Sequence, residues 1–350
     1  MKIDKSKWKE YELGRLCNLK AGAAISASEL SPQYSKGLFP CFGGNGLRGY
    51  IAKWSNEGKY VIIGRQGALC GNVNIANDKF YATEHAVVTY PKEPTDVDFL
   101  YYMLKAANLN QYATGLAQPG ISVKIINKVS VVVPPLTEQK AIASELNTLQ
   151  SLITQYREQL NDYDKLAQSI FHEMFGDVII NEKGWTCNPF HKLFSLKSGD
   201  GLTAKQQISG DFLVYGGNGI NGSHTQYNKD GEYIIIGRVG AYCGNVRYVS
   251  GKFWLTDNAF ELKEKLNPQN KYYLQYLLQK LNLGHYAHKA AQPVISNTVL
   301  KDIPIPLPPL PLQQQFASRI ESIEAQKALI KQQLADAQTL FDSRMQYYFD

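Results

Sequence analysis

Two arginines stand where a guanidinium could be aimed at a ligand. Arg65 and Arg238 each follow an apolar run and lie between glycines, in Gly64-Arg65-Gln66-Gly67 and Gly237-Arg238-Val239-Gly240. A planar fork held in such a loop can meet guanine bidentately or clasp a phosphate, and it can equally bridge to a buried carboxylate. A second pair of loops, Gly43-Gly44-Asn45-Gly46 and Gly216-Gly217-Asn218-Gly219, combines glycine with asparagine. These residue types permit positive φ and close backbone approach. Gly44, Asn45, Gly217 and Asn218 could therefore bring amides to phosphate oxygens, or serve as tight β-turns. In a third pair, Gln118 and Gln292 precede proline in loops that also carry Ser122 and Lys124, or Ser296 with Thr298 in place of the lysine. A glutamine can pair with adenine, or brace its own loop.

Sets of residues that break and make bonds are missing from the sequence. It has no GxxxxGK[ST] phosphate loop, no HExxH, no GxSxG and no histidine pair at ligand spacing. Asn188-Pro189-Phe190 has a partial likeness to the Asn-Pro-Pro-aromatic motif of amino-methyltransferases, but it lacks the second proline and a glycine-rich cofactor strand. The five cysteines, Cys17, Cys41, Cys70, Cys187 and Cys243, form no CxxC pair, so reduced thiols are expected. No catalytic residue, metal site or cofactor is expected, and the chain reads as a binder. His85 and His288 lack a counterpart in the other half of the chain and read as surface or packing residues. Tyr101, Tyr102, Tyr272, Tyr273 and Tyr276, at helical spacing, read as core.

The loops come in pairs because the sequence is a duplication. Tyr60 to Val73 reads YVIIGRQGALCGNV and Tyr233 to Val246 reads YIIIGRVGAYCGNV, identical at eleven of fourteen positions with an offset of 173. After one inserted residue the offset becomes 174. It then aligns Gln118-Pro119-Gly120-Ile121-Ser122 with Gln292-Pro293-Val294-Ile295-Ser296, and Pro134-Pro135-Leu136 with Pro308-Pro309-Leu310. Within each copy, β-branched runs bounded by Gly and Asn, such as Val61-Ile62-Ile63, predict strands. Asp96 to Ala107 and residues 271–280 predict one short helix per copy.

After each Pro-Pro-Leu the period changes. Ile142, Leu146, Leu149, Ile153, Tyr156, Leu160 and Tyr163 step alternately by four and three, and Phe316, Ile320, Ile323, Lys327, Ile330, Leu334, Ala337 and Phe341 repeat the pattern. This is a coiled-coil seam. Thr137 stands where it can cap the first helix, and Pro311 where a first-turn proline is tolerated. Each stripe is too long for its own module to cover, and the other helix is the simplest partner. Two similar halves related by a pseudo-two-fold axis would pair their helices antiparallel. A helix over Thr137 to Met174 spans roughly 57 Å at about 1.5 Å per residue, more than one turn of duplex DNA at about 34 Å. Lys327 breaks the seam, either setting the register or packing its stem while its charge reaches solvent.

Composition agrees. With 44% apolar residues in 350, two ordinary domains can each bury a core. The longest apolar runs fall short of a membrane span and the first residues hold no apolar signal region, so a soluble, cytoplasmic protein is expected. The net charge is +6. Residues 137–174 carry three basic and six acidic side chains and residues 313–344 four of each, leaving +9 on the globular remainder. That distribution suits a polyanionic partner. The expected fold class is α+β: two mostly-β globular domains, 1–136 and 177–310, joined by two long helices, 137–176 and 311–350, that form an antiparallel coiled coil.

Taken together, the repeated GGNG, IIGR-x-GA-x-CGNV, Gln-Pro-x-Ile-Ser and Pro-Pro-Leu segments, each copy ending in a long helix, resemble the specificity subunit of type I restriction-modification systems. The resemblance covers nearly the whole chain. It implies that each globular domain is a target-recognition domain reading one half of a bipartite double-stranded DNA target, and that the paired helices fix the gap. Two modification subunits would dock on the helices to methylate adenine, with restriction subunits as further partners that add ATP-dependent translocation and cleavage. The chain is short for that family, which leaves open the specificity subunit of a related combined restriction-methylation enzyme. A reading from another class is a coiled-coil scaffold whose modules bind proteins or glycans. Positions that differ between otherwise matching loops are candidates for reading different bases: Arg48 against Asn221, Gln66 against Val239, Leu69 against Tyr242, and Glu84-His85 against Asp257-Asn258.

Overall fold

The computed structural model describes residues 4–115, 119–287 and 293–350, and the chain divides into two compact units. One comprises Met1–Arg157 with Gln333–Asp350, the other Glu158–Gln332. Each unit holds one globular module and two helix segments. The helices are Leu136–Phe175 and Leu310–Phe349, and both run through the boundary between units.

In the first unit, a four-stranded antiparallel sheet has the order Cys17–Ala21, Ala86–Pro91, Tyr60–Gly64, Val73–Ala76. A second sheet has the order Gly46–Ile51, Phe39–Gly43, Lys79–Ala82, Asn56–Glu57, with Phe39–Gly43 parallel to Lys79–Ala82. The central run Val61-Ile62-Ile63 is apolar without alternation because both of its faces are covered. Val61 and Ile63 enter the main core, and Ile62 a smaller cluster with Phe80 and Val88. In the second unit the matching strands join into one six-stranded sheet, in which Ile234 and Ile236 face the main core and Ile235 the opposite side.

Each short helix begins at a side-chain cap. Asp96 Oδ1 accepts from Phe99 N at 2.9 Å, ahead of Val97–Ala106, and Asn270 caps Lys271–Lys280. The same caps are tied to the long helices. Gln139, almost fully buried, accepts from Asp96 N at 2.9 Å and donates to the Pro134 carbonyl at 2.9 Å. Gln313 repeats this with Asn270 N at 3.0 Å and the Pro308 carbonyl at 2.9 Å. Thr137 is no cap, because the first long helix already starts at Leu136 and the Pro135 carbonyl accepts from Glu138 and Gln139. Pro311 does lie in a first turn, that of Leu310–Phe349.

The helix segments pair antiparallel within each unit. In the first, Arg344 Nε meets Glu145 at 2.7 Å, the Tyr348 hydroxyl donates to the same carboxylate at 2.5 Å, and Arg157 reaches Gln338 at 3.4 Å. In the second, Lys327 meets Asp164 at 2.8 Å, and the Phe316 ring packs against Phe171 and Phe175 at 5.5 and 5.4 Å. Of the predicted seam, Ile142, Leu146, Ile153, Ile320, Ile323 and Ile330 are buried. Leu149, Leu160 and Leu334 are partly buried. Lys327 bonds both Asp164 across the pair and Glu324 on its own helix. Burial opposes its charge, but these two hydrogen bonds outweigh it and raise the ammonium pKa. The matching residues in the first unit are Ile153 and Gln338, so this ionic layer occurs in the second copy alone and favours the register-setting role. Among the described residues no helix is long and apolar enough to cross a membrane.

The modules also differ inside. Glu261 is buried in the second sheet against Lys229 and Lys263, where the first module has Val88, Asn56 and Tyr90. Burial alone would raise its pKa, but the two lysine hydrogen bonds prevail and hold it below the ordinary carboxylate range. A carboxyl whose pKa is depressed by folding contributes stability that is complete above its unfolded pKa and is lost as pH falls through the folded one. Glu261→Gln is therefore expected to destabilise the second unit by about 3 kcal/mol at neutral pH, since Lys229, largely but not fully buried, loses its counter-charge. The difference from wild type should close as acid protonates Glu261 in the latter. Denaturant unfolding of both proteins at neutral and acidic pH measures this, and a gap unchanged in acid would contradict it.

Candidate nucleic-acid interface

Three loops that are far apart in sequence meet at one edge of each module. In the first, the Gly44-Asn45 turn joins Phe39–Gly43 to Gly46–Ile51. The Arg65 segment follows strand Tyr60–Gly64: Arg65 N donates to the His85 carbonyl at 2.9 Å, and its carbonyl accepts from Ile121 N at 2.9 Å. Gly67 N donates to the Pro119 carbonyl at 2.9 Å. The second module repeats every link: Arg238 N to the Asn258 carbonyl at 2.9 Å, Ile295 N to the Arg238 carbonyl at 3.0 Å, and Gly240 N to the Pro293 carbonyl at 3.1 Å.

Glycine is needed where these loops touch. A Cβ on Gly64 would lie 1.8 Å from the Gly44 carbonyl oxygen, and one on Gly237 2.4 Å from that of Gly217. These glycines thus allow the loops to pack backbone against backbone. A bulge sets what the turn displays. The register slips between Cys41 and Phe42, and at the matching place between Val214 and Tyr215. Two consecutive residues then face outward in each copy, Leu47 with Arg48 and Ile220 with Asn221, where a regular strand would turn one of them inward.

The loops of the first module enclose a groove of about 510 Å³ lined by Gly44, Asn45, Leu47, Arg48, Gln66, Glu84 and His85, among others. Four of the predicted residues, Gly44, Asn45, Arg48 and Gln66, therefore come together. Asn45 Oδ1 accepts from Asn72 Nδ2 at 3.3 Å, and His85 Nε2 lies 3.1 Å from Glu84. His85, taken from the sequence as a packing or surface residue, is part of this lining. In the second module Asn218 and Ile220 border a different cavity of about 600 Å³, with Arg247, Tyr248, Tyr272 and Lys331. Arg247 Nη2 donates to the Asn218 carbonyl at 3.0 Å, bracing the turn from the position that Asn74 holds in the first copy.

The remaining predicted residues divide. The half-buried Arg65 has no hydrogen bond or ion pair from its guanidinium among the described residues. Arg238 lies over the Phe260 ring at 5.4 Å, with Nη1 3.4 Å from the Asp257 carbonyl. Neither bridges to a buried carboxylate. Ser122 and Ser296 cap the helices Val123–Asn127 and Asn297–Leu300, their hydroxyls accepting from Ile125 N at 3.2 Å and Val299 N at 3.3 Å. That occupies them structurally. Lys124 is exposed on the first of these helices, Gly217 packs against the Arg238 loop, and Asn221 and Tyr242 are exposed. Gln118 and Gln292 lie outside the described residues, as does His288. Leu47 and Ile220 escaped sequence reasoning. Their signal was an apolar residue directly after GGNG in both copies.

The chain is similar in sequence and fold to known proteins. The type I restriction modification DNA specificity domain matches residues 5–162 and 208–338. Over 158 residues the chain is 42% identical to the specificity subunit of the type I restriction enzyme EcoprrI of Escherichia coli, covering 44% of this chain and 39% of that protein. It thus spans less than half of that relative's length. Over 348 residues it is 25% identical to a Haemophilus influenzae protein named for the same role, covering 89% of this chain and 87% of the relative. The fold matches the crystal structure of the type I restriction-modification S subunit from M. genitalium with a TM-score of 0.72 at 19% identity, over 99% of this chain and 97% of that one. With that domain matched in both copies, the chain belongs to the family of type I restriction-modification DNA specificity subunits.

Proposed function

We propose that this chain is the non-catalytic, DNA-reading subunit of a cytoplasmic type I restriction-modification complex, and that each module reads one half of a bipartite target. The observation that carries this reading is the convergence of the same three loops in both modules. In the first they surround a groove lined by Arg48, Asn45 and Gln66, side chains that suit base edges. The paired helices set the gap between half-sites. Two adenine-methylating modification subunits dock on their outer faces, where Leu166, Leu329 and Leu340 are exposed, and restriction subunits join as further partners. The target adenine is flipped out by the modification subunit, since this chain supplies no catalytic set.

Arg65 and Arg238 should respond differently to truncation. Arg65→Ala, which removes a guanidinium without a protein partner among the described residues, is expected to weaken cognate binding by about 1–3 kcal/mol if the contact is bidentate to a base. Arg238→Ala, which also removes packing on Phe260, should cost thermal stability as well. Anisotropy titrations of the complex with cognate and random duplexes separate the cases. Equal loss on both duplexes would demote Arg65 to a phosphate contact, and no loss on either would remove it from the interface.

The helices can be tested as a ruler. Deleting Thr148 to Thr154 together with Ser322 to Ala328 keeps the heptad register: Leu160 moves to Ile153's place and Leu334 to Lys327's. Each helix shortens by about 10 Å. The preferred gap should shrink by two to three base pairs, at about 3.4 Å each, with both half-sites unchanged. Methylation mapping of cells expressing the variant reads this directly, and an unchanged gap in an active variant would show that other elements set the distance.

A further inference from the structure

Several large apolar side chains stay out in water at equivalent positions of both modules: Trp54 with Tyr227, Tyr112 with Tyr286, and, on the loops of the candidate interface, Leu47 with Ile220 and Leu69 with Tyr242. Leu47 and Leu69 are 53% and 54% exposed, and their counterparts Ile220 and Tyr242 are 59% and 56% exposed. Single exposed apolar residues are ordinary on any protein. Of the equivalent exposed pairs, these two lie on the loops of the candidate interface, and there the residue types differ between copies while a large, mainly apolar side chain stays. Leu47 and Ile220 are placed outward by the repeated bulge, beside the polar pair Arg48 and Asn221.

In the first module the two positions lie on loops that are bonded to each other. Leu69 sits on the turn that closes through Asn72, whose N–H donates to the Leu69 carbonyl at 3.1 Å. The Asn72 side chain bonds Asn45 on the hairpin that carries Leu47. Leu47 itself lines the groove with Arg48 and Gln66. A ligand engaging those polar groups would therefore cover apolar surface next to them. The major groove of DNA offers one apolar group beside its hydrogen-bonding edges, the 5-methyl of thymine.

We propose that Leu47 and Leu69 in the first module, and Ile220 and Tyr242 in the second, contact thymine methyl groups in their half-sites. The proposal rests on the groove being the DNA interface, and its test is chosen to fail separately from that reading. The complex with its modification subunit is titrated with the cognate duplex found by methylation mapping. A second duplex has every thymine of both half-sites replaced by deoxyuridine, which removes the methyl groups alone. Because a methylated adenine pairs with thymine, each half-site contains at least one.

Wild type should bind the deoxyuridine duplex more weakly, by about fourfold for each methyl buried, the equivalent of about 0.8 kcal/mol. The Leu47→Ser, Leu69→Ser double variant should lose the part of this preference that arises in the first half-site, and Ile220→Ser with Tyr242→Ser the part from the second. Equal binding of both duplexes by wild type would overturn the proposal. So would variants that keep the full preference, or that lose assembly with the modification subunit, which would assign the apolar positions to a protein contact. Failure of the wider reading would instead show as no preference for cognate over random duplex in the wild type.

Discussion

A buried glutamine joins each long helix to the module it leaves. Gln139 and Gln313 sit in the first turn of their helices, accept from the N–H of the residue that caps the short helix, and donate to a carbonyl of the Pro-Pro lead. An amide enclosed in this way must be satisfied, because an unmade hydrogen bond there costs about 1–3 kcal/mol. One geometry between helix and module satisfies it, and the same geometry recurs in both copies. The first turns of each long helix then belong to the core of their module, as Ile142 and Leu146 do in the first unit and Phe316 and Ile320 in the second.

The edge proposed to read DNA is built on a different principle, backbone against backbone. The pairs Gly44 with Gly64 and Gly217 with Gly237 come closer than any side chain would allow. They draw the hairpin turn against the arginine loop, which is itself bonded to the Pro119 or Pro293 loop. This leaves the side chains on the outer surface of the loops free to differ without disturbing the frame. Arg48 can stand against Asn221 and Leu69 against Tyr242 because none of them takes part in holding the loops together. Conserving the frame and varying its surface is what a duplicated reader of two different sequences requires.

Much of this was legible before any coordinates. The repeat follows from identity at a constant offset, the seam from its four-three spacing and its antiparallel sense from the two-fold relation expected of duplicated halves, and Ile142, Leu146, Ile153, Ile320, Ile323 and Ile330 are buried where the period puts them. Leu149, Leu160 and Leu334 follow less closely, because a period says which face a residue is on and not how much of that face its partner covers. What stayed hidden depends on contacts distant in sequence. Gln139 and Gln313 looked like ordinary polar helix residues, although each stands five residues after the first proline of a repeated Pro-Pro-Leu. That Ser122 and Ser296 cap short helices is a role their loop sequences do not show. Arg65 and Arg238 looked equivalent, but the residue facing Arg238 is Phe260 where the first copy has Val87, and the ring engages one guanidinium and not the other. The bulge at Arg48 and Asn221, next to Leu47 and Ile220, leaves no mark in composition.

The central claim is that two equivalent modules read the two halves of one DNA target, with identity set by the side chains on a shared loop frame. Replacing residues 41–90 by residues 214–263 tests it most directly, because the exchange keeps the helices and the glutamine joints and moves the second module's loops together with the strands that carry them, the buried Glu261 and its lysines included. Methylation mapping of cells that express this chimera with its modification partner should show the target converted toward a symmetric, interrupted palindrome built from the second module's half-site. A folded, active chimera that still methylates the original asymmetric target would contradict the account.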